Sequence, residues 1–226
     1  MEIDKSFDAE MLRIKILNPN WLPWIGKDFN SITDKRILIV GESNYLTEDV
    51  DVTQKDYIRK LIEKDGTHMG WYEANKFIAR RHLKLEKILS VNIDIEAEKR
   101  TFWHNAAYYN FIQTPLESRM EKDRPHFSLY LEGWEVFFQL LDILKPRYCI
   151  MNGVNSYNHF YEDTAEAFGY FTMEKNILNK IGNAYPRKIL LKNKNFGNRI
   201  KVLFIKHSSL PMKIENWNKF ITSELK

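Results

Sequence analysis

The stretch Arg36-Ile-Leu-Ile-Val40, followed by Gly41-Glu42-Ser43-Asn44-Tyr45, has the pattern of a buried strand that ends in a polar turn. The run is mostly apolar, three of its residues are β-branched and a glycine follows it, all of which favours a buried strand. The same pattern occurs in Arg147–Met151, before Asn152-Gly153, and in Ile200–Lys206, before His207. Thr101–Asn105 is a weaker candidate strand.

Helical patterns lie between these strands, over Gln54–Lys64, Trp71–Arg81, Gly133–Leu144 and Val154–Phe168. Pro146 ends the third of them, and Gly169 follows the fourth as a helix-terminating glycine. Alternating strands and helices predict an α/β fold, here a three-layer α/β/α sandwich with a mostly parallel sheet of about four strands. The length of 226 residues fits one domain over residues 1–226.

The composition excludes several classes of protein. Cys149 is the one cysteine, so neither an internal disulfide nor a cysteine-bound iron–sulfur cluster can form. No run of 18 apolar residues suggests a membrane span, and Met1–Phe7 is charged rather than signal-like. We therefore expect a cytoplasmic protein with no membrane partner and no metal cluster.

The charge is unevenly distributed. The chain has 34 basic and 30 acidic residues, a net charge of +4. Between residues 175 and 213 there is no acidic residue, which leaves 24 basic against 30 acidic residues elsewhere. Such a stretch is either an electrostatic footprint for phosphate or a solvated surface. Its ten basic residues are Lys175, Lys180, Arg187, Lys188, Lys192, Lys194, Arg199, Lys201, Lys206 and Lys213.

Polar residues follow the predicted strands, and in parallel sheets the carboxyl ends of the strands form the usual site. Glu42 can orient or deprotonate a water there, or stabilise a cation. His207, as a neutral imidazole, can donate to a leaving oxyanion. Asn105 offers both a donor and an acceptor to the edge of a nucleobase.

Each of these residues also fits a structural role when taken alone. Glu42 suits the positive end of a helix dipole, His207 a bond to a backbone carbonyl, and Asn105 a turn. Aromatic side chains are abundant, so most belong to the core. Those that can stack on bases are Tyr45, Trp71, Tyr108 and Tyr109.

Four blocks, in order over residues 36 to 210, resemble motifs of the uracil-DNA-glycosylase-like superfamily. The first resembles a strand followed by glycine and a polar or acidic pair, and the second a strand that ends in a base-reading asparagine. The third resembles a helix, Lys-Pro, a strand and glycine, and the last a strand followed by His-Pro-Ser. The blocks are Ile37–Tyr45, Phe102–Asn105, Leu144–Gly153 and Val202–Leu210.

The resemblance implies a role for each matching residue. Glu42 would position the hydrolytic water, and His207 would stabilise negative charge on the departing base. Asn105 would bond the flipped base, and Tyr45 would exclude bases with a bulky C5 group. The other base-pocket residues would be Gly41, Ser43, Asn44 and, as a stacking partner chosen by position, Trp71 or Phe77. The DNA contacts would be Ser208, Ser209, the wedge Leu210, Gly153 and Asn155.

Three positions depart from the family pattern. Ser43 stands where the efficient uracil enzymes have aspartate, Asn44 replaces a proline, and Ser208 replaces the proline after the histidine. The resemblance therefore implies a DNA glycosylase without cofactor or metal, acting on a deaminated or modified base in single- or double-stranded DNA. It does not identify the base or the oligomeric state.

Three alternatives remain open. The chain is an inert or weak nucleic-acid-binding relative, a serine acyl hydrolase using Ser43 and His207, or a structural protein without a site. The hydrolase alternative lacks the G-x-S-x-G motif, because Tyr45 stands where the second glycine belongs. The inert relative predicts salt-sensitive DNA binding without an abasic product.

Overall fold

The computed structural model describes residues 2–31, 36–46, 51–67, 84–89, 101–117 and 124–225. These residues form one sheet with helices on both faces. Its strand order is β1-β3-β2-β4-β7-β6-β5. The strands are β1 (Trp24–Ile25), β2 (Ile37–Gly41), β3 (Ala106–Asn110), β4 (Tyr148–Asn152), β5 (Tyr170–Ile177), β6 (Arg187–Asn193) and β7 (Arg199–Ile205).

The predicted sheet of about four mostly parallel strands is wrong, because the sheet is mixed and has seven strands. β3, β2, β4 and β7 are parallel neighbours in the middle. β1 lies antiparallel to β3, and β6 and β5 extend the other side as an antiparallel pair. In β5 only Tyr170 is buried. An edge strand of this kind needs little burial, so β5 lacks the apolar run that correctly marked β2, β4 and β7.

The central strands are buried on both faces, which explains their continuous apolar runs. In β2, Leu38 and Val40 face one core, and Ile37 and Ile39 face the other. Burial of one such side chain stabilises the fold by about 1.5–3 kcal/mol. The first core contains the helix Phe127–Leu144. The second contains side chains from Tyr57–Thr67, residues 84–89 and Ile214–Glu224.

The helix Phe127–Leu144 begins six residues before the predicted Gly133 and ends where predicted. Its start is fixed by His126, whose side chain accepts a hydrogen bond from the Ser128 backbone. Gly133 is required inside the helix, because a Cβ there would lie 2.4 Å from the Phe111 ring. Lys145 ends the helix in a left-handed conformation with φ of 47°, directly before Pro146.

The remaining helices differ in part from the predictions. Tyr57–Thr67 replaces Gln54–Lys64, and Trp71–Arg81 lies outside the described residues. Val154–Phe168 is broken into two short helices, and Gly169 follows with a positive φ of 81°. The shorter helical elements are Asp8–Met11, Thr101–His104, Asn155–Asn158, Glu162–Ala167 and the 3₁₀ turns Pro19–Trp21 and Phe29–Ser31.

The predicted strand Thr101–Asn105 is wrong, because Thr101–His104 is helical and β3 begins at Ala106. Phe102 and Trp103 are buried in the second core. The indole of Trp24 also donates to the Trp103 carbonyl at 2.7 Å. A short apolar run is compatible with either a strand or a helix, and here packing selected the helix.

Candidate active site

The carboxyl ends of β2, β4 and β7 bring Glu42, Gly153 and His207 to one edge of the sheet. Because β4 lies between the other two, Glu42 and His207 start two strand spacings apart, roughly 10 Å. Gly153 lies between them with a φ of 141°, a conformation that favours glycine. The sheet thus holds a carboxylate and an imidazole on opposite sides of a residue without a side chain.

Glu42 is half-buried, and its Oε1 accepts two hydrogen bonds. Asn155 donates to it from Nδ2 at 2.6 Å, and the Tyr130 hydroxyl donates at 3.4 Å. Burial and the Glu42 carboxylate raise the pKa of the Tyr130 hydroxyl above its usual range, so the hydroxyl stays a donor. The two donors hold the carboxylate in one orientation.

A small pocket adjoins this carboxylate. Glu42, Gly153 and Asn155 are among its lining residues, and its volume is about 10 Å³. That volume is close to the least that holds one water. Glu42 therefore borders a space about the size of one water molecule.

His207 is held by the residue two positions after it. Ser209 Oγ lies 2.6 Å from His207 Nδ1, and the Ser209 backbone N–H donates to the same nitrogen at 3.3 Å. A backbone N–H can only donate, so Nδ1 acts as the acceptor and the neutral ring carries its hydrogen on Nε2. The arrangement makes Nε2–H a donor.

Ser208 points into the protein. It is completely buried, its backbone N–H donates to Asn152 Oδ1 at 2.8 Å, and its hydroxyl accepts from Asn152 Nδ2 at 3.1 Å. Ser209 and Leu210 are exposed. Of the predicted DNA contacts in this loop, Ser208 is thus occupied internally, whereas Ser209 and Leu210 face outward.

Asn105 lies at the opposite edge from Glu42. It precedes β3, whereas Asn110 ends β3 beside Gly41. A Cβ on Gly41 would lie 2.0 Å from Asn110 Oδ1 and 2.4 Å from the Tyr108 hydroxyl. The structure thus requires glycine at position 41 for packing. Sequence reasoning missed Asn110, because the strand was placed five residues too early.

Asn110 fixes the orientation of Asn44. The Tyr108 hydroxyl donates to Asn110 Oδ1 at 2.9 Å, and Asn110 Nδ2 donates to Asn44 Oδ1 at 2.6 Å. The Asn44 amide must then present Nδ2 as its remaining donor. This nitrogen is buried and has no hydrogen-bond partner among the residues that the structure describes, at a cost of about 1–3 kcal/mol.

The other predicted pocket residues have mixed positions. Ser43 is buried, and Tyr45 is half-buried, paired with Leu116 in an isolated bridge. Trp71 and Phe77 lie outside the described residues. Tyr108 and Tyr109 are completely buried and belong to the core, so these two rings do not face a ligand.

Strand pairing splits the basic stretch into parts. Lys188 and Lys201 form ion pairs with Glu174 and Glu224, at 3.0 and 3.4 Å. Lys192, Lys194 and Arg199 lie at the edge opposite Glu42. Nearer the candidate site are Lys180, Arg187, Lys206 and Lys213. The ten basic residues therefore do not form one continuous surface for binding phosphate.

No known protein-family model matches this chain, and no curated protein is significantly similar to it. In the part of the chain that the structure describes, no helix has the length and apolar character needed to cross a bilayer. Within the same residues, no three His, Cys, Asp or Glu side chains are grouped as metal ligands would be.

Proposed function

We propose that this protein is a DNA glycosylase that hydrolyses the N-glycosidic bond of a deaminated or modified base flipped out of DNA. One observation is the main support. A carboxylate held by Asn155 and an imidazole held by Ser209 lie on either side of Gly153, and this reaction needs those two groups on opposite sides of the nucleotide.

The reaction breaks the bond from C1′ of the sugar to the base nitrogen, and the electron pair leaves with the base. His207 Nε2–H would donate to an oxygen of the base as negative charge develops there. Glu42 would face the cationic sugar, hold the water that bonds to C1′, and accept the proton that this water loses. Flipping the base first costs a few kcal/mol, which contacts with the DNA must offset.

The orientation of the buried Asn44 amide is compatible with a deaminated base as the substrate. Deamination replaces an exocyclic amino group, a donor, by a carbonyl, an acceptor. Since Asn110 occupies Asn44 Oδ1, a base that reached Asn44 would meet the Nδ2 donor. This donor suits the carbonyl of uracil, hypoxanthine or xanthine and disfavours an amino group.

Oligonucleotides that contain uracil, hypoxanthine, xanthine or a hydroxymethylated base test the proposal. Incubation followed by alkali should break the strand at a deaminated base. Glu42→Gln and His207→Ala should each reduce the rate about 100-fold or more. Glu166→Gln and His104→Ala are matched controls away from the site and should leave the rate unchanged. Intact strands for every lesion, in single strands and duplexes, would overturn the proposal.

The geometry favours this proposal over the serine acyl hydrolase. Ser43 is 4% exposed, and β4 separates its strand from the strand before His207. A nucleophile and its base must lie within hydrogen-bonding distance. The inert relative shares every structural feature named above, and DNA binding without strand breaks would identify it.

A further inference from the structure

A row of aromatic rings extends from Glu42 to the protein surface. The Tyr130 hydroxyl donates to Glu42, and the His159 ring is stacked on the Tyr130 ring, with centroids 4.3 Å apart and planes 23° apart. The Phe127 ring packs edge-on against the His159 ring, with centroids 5.7 Å apart, and against the Tyr161 ring, with centroids 5.8 Å apart. We call these four rings the aromatic row.

The outer end of the aromatic row is open to solvent. Phe127 is 42% exposed and Tyr161 is 46% exposed, whereas Tyr130 at the inner end is buried. The row therefore offers two accessible ring surfaces that are connected, ring by ring, to the proposed catalytic carboxylate.

Basic groups contact the chain segment that carries His159. Arg187 donates from Nη1 to the Asn158 side chain at 2.7 Å, and Lys175 donates to the Phe160 carbonyl at 3.3 Å. Both contacts are one residue from His159. Arg124 is exposed and near enough to Tyr130 to oppose the rise in the pKa of its hydroxyl that burial and Glu42 cause.

The acidic groups are at the outer end. Glu162 and Asp163 follow Tyr161 at the start of a short helix. A phosphate backbone is therefore expected nearer Lys175, Arg187 and Arg124 than Glu162 and Asp163. Exposed rings with cations nearby have the chemistry of a surface that binds single-stranded nucleic acid.

We propose that the aromatic row stacks unpaired nucleobases next to the excised base, so that the preferred substrate is single-stranded DNA. The proposal rests on the proposed function, because it places the row in the path of the same strand. A duplex hides the faces of its bases within its own stack, whereas unpaired bases present them to Phe127 and Tyr161.

A lesion-free, fluorescein-labelled dT12 strand separates this proposal from the glycosylase proposal, because binding is measured without any cleavage. Anisotropy titration should show that the wild-type protein binds dT12 more tightly than a 12-base-pair duplex. The double variant Phe127→Leu/Tyr161→Leu should bind dT12 at least about tenfold more weakly. The single variant Tyr161→Trp should bind at least as well as the wild type, since it keeps a ring.

Exposed rings with cations also occur at the opposite edge of the sheet, and they are the control for position relative to Glu42. Phe171 and Phe196 are 45% and 62% exposed, and each has a lysine over its ring, Lys194 at 4.5 Å and Lys145 at 5.3 Å. Phe171→Leu/Phe196→Leu should leave dT12 affinity unchanged. Thermal melting of each variant checks that the fold is retained.

Three outcomes would overturn the aromatic row as a DNA surface: equal affinity for dT12 and duplex, equal weakening by the two double variants, or no weakening by Phe127→Leu/Tyr161→Leu. If this variant fails to fold, Tyr161→Ser alone must weaken dT12 binding, because Tyr161 is at the exposed end. If Phe127→Leu/Tyr161→Leu weakens dT12 binding but the wild-type protein cleaves no lesion, the aromatic row is supported and the glycosylase proposal fails. If the wild-type protein cleaves a lesion and Phe127→Leu/Tyr161→Leu binds dT12 as well as the wild type does, the glycosylase proposal is supported and the aromatic row fails as a DNA surface.

Discussion

Asn152 and Ser208 are joined by two hydrogen bonds, which attach the end of β4 to the loop after β7. Both residues are buried, so water cannot replace either bond. Because His207 directly precedes Ser208, the pair also fixes where the imidazole emerges from the sheet. The buried pair thus stabilises the fold and positions a residue of the candidate site.

Removing this pair should destabilise the protein in graded steps. Ser208→Ala leaves the Asn152 amide without one partner and should cost about 1–3 kcal/mol. Asn152→Leu leaves both the backbone N–H and the hydroxyl of Ser208 unpaired and should cost more. Urea denaturation measures the free energy of unfolding. The exposed Ser209→Ala should change it by less than about 0.5 kcal/mol. An equal free energy of unfolding for all three variants would contradict a stabilising role for the two hydrogen bonds between Asn152 and Ser208.

The sequence predicts the centre of the fold better than its edges. β2, β4 and β7 are buried on both faces, so their apolar runs are visible without a structure. The hairpin of β5 and β6 buries mainly one side of one strand. Its pattern resembles a polar connection, because an antiparallel edge strand is held by backbone bonds rather than by apolar burial.

The candidate site is predictable where it follows a clear strand. Glu42 comes directly after β2, His207 comes two residues after the end of β7, and both reach the expected edge. Asn105 does not, because a short apolar run before it folds as a helix and shifts β3 by five residues. Pairings between distant residues, such as Asn155 with Glu42, depend on chain topology and have no local sequence pattern.

Asn44 should determine which base is excised. Asn44→Asp keeps an acceptor for Asn110 but removes the Nδ2 donor, so a base carbonyl would meet a carboxylate oxygen. Excision of a carbonyl-bearing base should fall about 10–100-fold in kcat/KM. The measurement is single-turnover cleavage of the best substrate from the lesion panel. Asn198→Asp, in the exposed turn between β6 and β7, is the control, and equal rates for the two variants would exclude a role for the donor.

His104 should make stability depend on pH without affecting the site. Burial, followed by the charge on Lys27, lowers the pKa of its imidazole, and its Nε2 accepts a hydrogen bond from the Glu2 backbone. The unfolded chain therefore binds a proton more readily, with a pKa of about 6.5. The stabilisation is complete above that pH and declines as the pH falls through it. Urea denaturation at pH 7.5 and 5.5 should show a smaller loss for His104→Gln than for the wild type. An equal loss would contradict this role.

The two donors to Glu42 should contribute unequally to catalysis. Asn155 is 2.6 Å from the carboxylate and Tyr130 is 3.4 Å away, so Asn155→Leu should reduce kcat about 10–100-fold and Tyr130→Phe less than about tenfold. Neither variant should change KM much, because Asn155 acts through Glu42 and phenylalanine keeps the ring on which His159 stacks.

A rise in KM with unchanged kcat in Asn155→Leu would show that Asn155 contacts DNA directly. The conservative variant Asn155→Gln should restore part of kcat if its amide reaches the same oxygen, and a rate no higher than that of Asn155→Leu would indicate that the donor's position is decisive.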